Sequence, residues 1–320
     1  MFVPAIKASN QLPTKEAMQS CSENEVAYHP ELWELQYQSY RFLERVPEKE
    51  LKQRHKEILK NIRVYVQPDA FKIPIINYLS SWYWLRKEHQ TRLEFKLRHS
   101  PVPEVIELEK QQYSTTHNSA RIIGKFDRLF KFSEKKYLED ALHKGNILIR
   151  PALEFRTMEN DNARQDDELK KSTFMSGAYT RVLTMSGQRI PVIGNLTRSV
   201  STQNYYAYCI SSEFDHGLYS DFEADACLEI HDVASFAQRI STAAEIVLPD
   251  WEFEHLSVQY FDPYEICKNE HVDPILSKDF RFAYQKEYRF FWFSRGKFST
   301  TGNQLLKLGN LADIAKISYR

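Results

Sequence analysis

The chain has 320 residues, 42% hydrophobic and 13% aromatic, enough for a sizeable core, which excludes disorder of the whole. Its 43 basic and 43 acidic side chains cancel, which argues against a polybasic membrane binder or a wholesale nucleic-acid coat. Only 9 glycines are present, against collagen-like and glycine-rich nucleotide-binding folds.

The length predicts two domains, a helical and partly basic N-terminal region over 1–115 and a strand-rich region over 116–320. In the first, Pro47 followed by Glu48-Lys49-Glu50-Leu51 predicts a helix start, with Leu51, Ile58, Leu59 and Ile62 as its apolar stripe. A second helix is predicted over 75–97 and is stopped by Ser100-Pro101-Val102-Pro103. Residues 41–98 hold 14 Lys/Arg against 7 Asp/Glu, and 213–254 hold 11 Asp/Glu against Arg239 alone. Arg54, Lys56, Lys60, Arg63, Arg86, Lys87, Arg92, Lys96 and Arg98 read either as a phosphate-binding face or as a solvated one that docks on the acidic segment. Trp82-Tyr83-Trp84 reads as core rather than as a base-stacking platform.

Further on, a short strand is predicted over 128–132, then a helix capped by Ser133 and ended at Gly145, then a strand over 146–150. The polar run over 156–171 reads as a mobile, solvated loop. Residues 180–184 and 189–193 predict a hairpin around Met185-Ser186-Gly187-Gln188. Strands are predicted over 205–210, 226–230, 256–261 and 287–293, with a helix capped by Asp232. No assignment is made for 305–319. The expectation is an α+β protein.

Motifs exclude much. P-loop, dinucleotide-fold, zincin and hydrolase signatures are absent. Cys21, Cys209, Cys227 and Cys267 form no C-x-x-C pair, and no metal site is expected. The first sixteen residues lack the apolar core of a signal peptide, and no apolar run is long enough to span a bilayer. A cytoplasmic protein with reduced thiols and no membrane partner is expected.

Three segments remain: Leu129-Phe130-Lys131-Phe132-Ser133 before a helix, Tyr208-Cys209-Ile210-Ser211-Ser212, and Gln285-Lys286-Glu287-Tyr288-Arg289-Phe290. In these the chain resembles the ADP-ribosyltransferase superfamily, especially a divergent bacterial branch found among toxins of toxin–antitoxin and phage-defence systems. The resemblance spans about residues 125–295. It implies a mixed β-sheet core and NAD as substrate. It implies Glu287 as the catalytic carboxylate beside the nicotinamide ribose, where positive charge develops on bond cleavage. Gln285 would contact the acceptor. Ser211 and Ser212, with Tyr208 on the same strand, would position the ribose, and Lys131 or Arg150 would hold the dinucleotide, with Arg128 a rival. The usual Arg or His of the first core strand is a lysine here. The implied setting is a toxin or antiviral effector that modifies a macromolecule, RNA ahead of protein or DNA, and is restrained by an antitoxin or chaperone. Two alternatives stand beside it: a non-enzymatic interaction protein, and a magnesium-dependent nuclease using Asp166, Asp167 and Glu168.

Overall fold

A computed structural model describes residues 30–65, 81–103, 127–157, 167–178, 180–265, 272–294, 296 and 302–320. The chain forms two compact units, Met1–Thr115 and Thr116–Arg320. Among the described residues no helix is long and apolar enough to cross a membrane.

The first unit holds α1 (Pro30–Ser39), α2 (Glu48–Tyr65) and α3 (Ser81–Leu97). Pro47 ends the preceding turn and its carbonyl takes the first helical bond, from Leu51 N–H at 2.9 Å. Glu48 and Glu50 then sit in the first turn of α2, where the helix dipole favours them. Leu51, Ile58 and Ile62 are buried as the stripe requires. The segment over 75–80 of the second predicted helix lies outside the described residues; the remainder is α3. Trp84 is completely buried, which places it in the core.

The basic-face reading needs correction. Arg54, Arg86 and Lys87 are buried, with Lys87 over the rings of Phe42 and Tyr83 at 5.7 and 5.0 Å. Arg98 donates to the carbonyls of Val46 and Glu44 at 2.6 and 2.9 Å and to Glu94 Oε1 at 2.6 Å. These four cations serve the interior, whereas Lys56 and Lys96 are exposed, Lys60 and Arg92 partly so, and the side chain of Arg63 lies outside the described residues. A count of charges along the chain has no term for which helix face closes on a neighbour.

The second unit is built on one eight-stranded sheet whose neighbours all run antiparallel, in the order β13-β2-β7-β1-β8-β14. Its strands are β1 (Leu129–Ser133), β2 (Asn146–Pro151), β7 (Tyr206–Ser211), β8 (Ala226–Ile230), β9 (Glu252–Ser257), β12 (Glu287–Phe293), β13 (Gln304–Lys307) and β14 (Ala315–Tyr319). β12 lies on the other edge of β7 and carries β9 beyond it. Separate two-stranded pairs join β3 (Lys170–Ser176) to β6 (Asn195–Ser201), β4 (Val182–Leu183) to β5 (Arg189–Ile190), and β10 (Gln259–Phe261) to β11 (Ser277–Asp279).

Among the described residues four α-helices accompany the sheet: α4 (Lys135–Lys144), α5 (Ala152–Thr157), α6 (Gly217–Asp221) and the longer α7 (Val233–Val247). Asp232 caps α7 by accepting from Ser235 N–H at 3.0 Å, and α7 buries Phe236, Ala237, Ile240, Ala243 and Ala244 against the sheet. Alternation sorts β7 and β12 into two faces. Tyr206, Tyr208, Ile210, Tyr288, Phe290 and Trp292 join the core under α7, while Ala207, Cys209, Phe291 and Phe293 face a second cluster.

Gly145 closes α4 in the left-handed conformation at φ 68°, and a Cβ there would stand 2.0 Å from the carbonyl oxygen of Gly309. Ser133 is not the cap of α4, because it is the last rung of β1, opposite Ala226. The cap position is Glu134, and Lys135 N–H is taken instead by Asp225 Oδ1 at 2.5 Å. The strand predicted over 256–261 breaks at Val258, whose N–H turns to the Glu287 carbonyl. The unassigned tail supplies β13 and β14. The loop reading over 156–171 is overturned for the residues that are described: Glu168 and Lys171 are buried, and Lys170 opens β3.

Candidate functional site

The site lies where the sheet divides. On one edge of β7, β2 pairs only with Tyr206 and Ala207, and β1 pairs only with Ser211. Between them, among the described residues, no strand pairs with this edge of β7. The ammonium of Lys131 reaches into this stretch and donates to the Cys209 carbonyl at 2.7 Å, 4.8 Å from the Tyr208 ring centroid. A carbonyl that a continuous sheet would have paired is thereby satisfied by a side chain.

On the other edge, β12 pairs with β7 in full, and Glu287 stands opposite Ser211. One rung therefore carries Phe130, Ser211 and Glu287 across three strands. A cleft opens beside it. Its lining includes Lys131, Ser211, Gln285, Glu287, Lys278 and Glu168, with Phe130, Phe132, Phe155 and Phe222 as aromatic walls.

Glu287 is buried and fully engaged. Its Oε1 accepts from Arg289 Nε and Nη2 at 2.9 and 2.7 Å, and its Oε2 from Lys278 Nζ at 2.8 Å. Burial alone would raise its pKa. The charges of Arg289 and Lys278 overcome that and hold the carboxyl well below the usual range. Glu287 is thus a fixed anion and a poor proton acceptor at neutral pH.

Around it the network continues. Arg289 Nη1 meets Tyr205 Oη and Glu168 Oε2, both at 2.9 Å, and also bonds the Ile275 carbonyl. Lys278 Nζ donates to Gln285 Oε1 at 3.1 Å and lies 3.7 Å from Glu168 Oε1, and Lys171 Nζ lies 3.6 Å from Glu168 Oε2. Three cations thus face two carboxylates in this buried group. Burial, then the charge of Glu287, push the Cys209 thiol up to about 12, so it is no thiolate nucleophile.

The loop into β12 is held from below. Lys286 adopts the left-handed conformation at φ 47°, which costs a non-glycine residue about 1 kcal/mol. Its carbonyl accepts both the N–H and the Oγ of Ser212 at 2.8 Å, and its ammonium pairs with Glu213. Ser211 Oγ lies 2.7 and 2.9 Å from the carbonyls of Glu213 and Gln285, which share its one proton. Glu287 N–H donates to Tyr260 Oη at 2.8 Å.

Of the residues singled out in the sequence, Lys131, Ser211, Gln285 and Glu287 converge on the cleft. Ser212 and Tyr208 do not line it. Ser212 secures the Lys286 turn, and Tyr208 points into the core under α7. Arg150 is more than a third exposed and lies 3.7 Å from Glu154, one turn on; Arg128 pairs with Glu229 at 2.6 Å. Neither is in the lining.

Sequence reasoning passed over Lys278, Arg289 and Phe155, and placed Glu168 in a loop. Arg289 was within reach, since two residues along a strand puts it on the face of Glu287. Asp166 lies outside the described residues. Asp167 caps the backbone N–H groups of Leu169 and Lys170, and Glu168 is surrounded by three cations, which disfavours a divalent metal there. Among the described residues no group of three or more His, Cys, Asp and Glu is placed to hold a metal.

No protein-family model, curated protein or solved structure matches the chain. What the fold and the site define by themselves is an α+β protein with N-terminal helices and an antiparallel sheet core, whose sheet divides around an aromatic-walled cleft with a buried ion-pair network at its floor.

Proposed function

We propose that the second unit is an ADP-ribosyltransferase-like domain and that its cleft takes NAD. The observation that carries this reading is the convergence of Lys131, Ser211, Gln285 and Glu287, from three separate segments, on one cleft at a split in the sheet. Each group suits a part of the reaction. The phenylalanine walls give faces on which nicotinamide and adenine stack. Lys131 and the surplus positive charge around Lys278 attract the pyrophosphate.

In the transfer step the bond between the ribose C1′ and the nicotinamide nitrogen breaks, and its electron pair leaves with nicotinamide. A nucleophile on the acceptor forms the new bond to C1′ and its proton passes to solvent. Glu287, held ionised, stabilises the cationic sugar and accepts from a ribose hydroxyl, with Lys278 yielding its place on Oε2. A deprotonated carboxylate fits that electrostatic role better than proton abstraction. The implied setting is an effector that modifies a macromolecule, RNA foremost, and is restrained by an antitoxin or chaperone.

The test is radiolabelled NAD incubated with the protein and a cell lysate, with separate RNase, DNase and protease digestion of the product. Wild-type protein is expected to transfer label and release nicotinamide. Glu287→Gln, verified as folded by circular dichroism, is expected to lose both by about 100- to 1,000-fold. Equal label with folded Glu287→Gln, or none with wild type, sinks the reading.

A further inference from the structure

The second feature that calls for a function is an arm on the sheet unit. β3 and β6 pair along seven residues each, from Lys170 opposite Ser201 to Ser176 opposite Asn195. Beyond them the β4–β5 hairpin continues the ribbon, with Val182 opposite Ile190 and Leu183 opposite Arg189. The ribbon is rooted beside the cleft. Thr202 N–H closes on the Leu169 carbonyl at 3.0 Å, next to Glu168, and Tyr205, three residues further, binds Arg289. Phe174 N–H bonds the Pro263 carbonyl at 2.7 Å and its ring stacks on Tyr264, which fastens the shaft. At about 3.4 Å per residue the seven-residue shaft alone is about 24 Å long.

Its charge is one-sided. Residues 169–212 hold five Lys/Arg and no Asp or Glu, although 43 of the 320 residues are acidic. Lys170, Arg181, Arg189 and Arg198 are exposed, and among the described residues none of the four forms an ion pair. They are spread from the root to the tip. Between them the shaft is rich in hydroxyls, with Ser172 and Ser199 paired at 3.0 Å and Thr197 exposed. Toward the tip apolar side chains stand out between the arginines: Met185 and Ile193 are wholly exposed and Leu183 and Ile190 about half so.

From this geometry we infer that the β3–β6 arm with its β4–β5 tip binds duplex nucleic acid, with the arginines on phosphates and the apolar tip against a groove. A two-stranded ribbon fits the major groove of B-form DNA, about 12 Å wide, where apolar side chains at its tip can contact thymine methyl groups. Cations distributed along the full length match a rod-like polyanion. A lipid surface would meet only the tip. The use of the bound strand as acceptor rests on the transfer reading above, but the binding does not.

The test omits NAD, so its failure is separate from that of the transferase reading. The full chain is titrated into labelled 20-base-pair DNA and RNA duplexes, the matching single strands and phosphatidylserine vesicles, across a range of salt. The expected result is duplex binding that weakens with salt. The triple variant Arg181→Gln, Arg189→Gln, Arg198→Gln is expected to weaken it tenfold or more at about 150 mM salt, with the slope of log affinity against log salt shallower by about 2 to 3. Met185→Ser with Ile193→Ser is expected to weaken binding while leaving that slope unchanged. All substituted side chains are exposed, and a matching melting temperature verifies the fold. Four results overturn the proposal: unchanged affinity and slope in the triple variant, preference for single strands, binding to vesicles alone, or self-association through the acidic 213–254 segment in place of nucleic-acid binding.

Discussion

Glu94 in the helical unit and Glu287 in the sheet unit are the same chemical object in two settings. Glu94 is fully buried and accepts from Arg41 at 3.0 and 3.1 Å, Arg98 at 2.6 Å and the Tyr37 hydroxyl at 2.5 Å. Burial would raise its pKa, and the bonds from Arg41, Tyr37 and Arg98 bring it below the usual value instead. Glu287 is held down in the same way by Arg289 and Lys278. The difference lies in what surrounds them. The partners of Glu94 are Tyr37 of α1 and the guanidinium groups of Arg41 and Arg98, and Arg98 is itself held by the carbonyls of Val46 and Glu44, so the group closes over the carboxylate. Glu287 faces a cleft bounded by aromatic rings and by a stretch of the β7 edge with which none of the described strands pairs. A buried ion pair is therefore no mark of a site, and the opening beside it is what assigns a role.

The comparison breaks most visibly under substitution. Glu94→Gln and Glu287→Gln each leave buried cations without their counter-charge, and each is expected to cost about 3 to 5 kcal/mol of stability in chemical denaturation. The functional consequences should part. The folded fraction of Glu94→Gln keeps nicotinamide release at the wild-type rate, while that of Glu287→Gln loses it. Loss of release in both would reduce Glu287 to a structural carboxylate.

A pH series sharpens the same pair. Both carboxyls are depressed in the folded state, so the unfolded chain binds more protons in acid. The stability they contribute is fully present above the ordinary glutamate value of about 4.3 and is lost as pH falls below it through the folded values. The denaturation midpoint of wild type is expected to fall between about pH 5 and pH 3, and to fall less steeply in either glutamine variant. Parallel curves for all three proteins would contradict the assignment.

Smaller effects separate the two candidate dinucleotide cations. Lys131→Ala removes the ammonium from the cleft and leaves the network around Glu287 intact, so the NAD concentration for half-maximal rate should rise about tenfold with little change in the maximal rate. Arg150→Ala touches an exposed pair with Glu154, and both stability and NAD dependence should stay within about 0.5 kcal/mol of wild type. The reverse ranking would move the dinucleotide out of the cleft.

Much of the fold could be read from the chain because local patterns decide it. The Ala226–Ile230 and Glu287–Phe293 strands, the Asp232 cap and the Gly145 stop each follow from neighbours a few residues apart. The β4–β5 hairpin followed from its turn residues in the same way. The site was half legible. Ser211 and Glu287 sit at strand ends, where a sequence pattern can find them. Lys278 could not be found so, since it reaches Glu287 only through the parallel pairing of β10 with β11. Glu168 looked like loop because its run is polar, and its burial depends on Arg289, Lys278 and Lys171, three cations brought from other segments or from its own turn. Buried charge in α3 was hidden for the same reason: Lys87 and Arg86 read as surface until the helices pack.

The most direct measurement of the central claim is calorimetric titration of NAD into the wild-type chain, Lys131→Ala and Glu94→Gln under one buffer. Saturable binding by wild type and by folded Glu94→Gln, weakened about tenfold in Lys131→Ala, is the result expected of a dinucleotide cleft at the divided sheet. Absence of saturable binding by wild type, or equal affinity for wild type and Lys131→Ala, would contradict it.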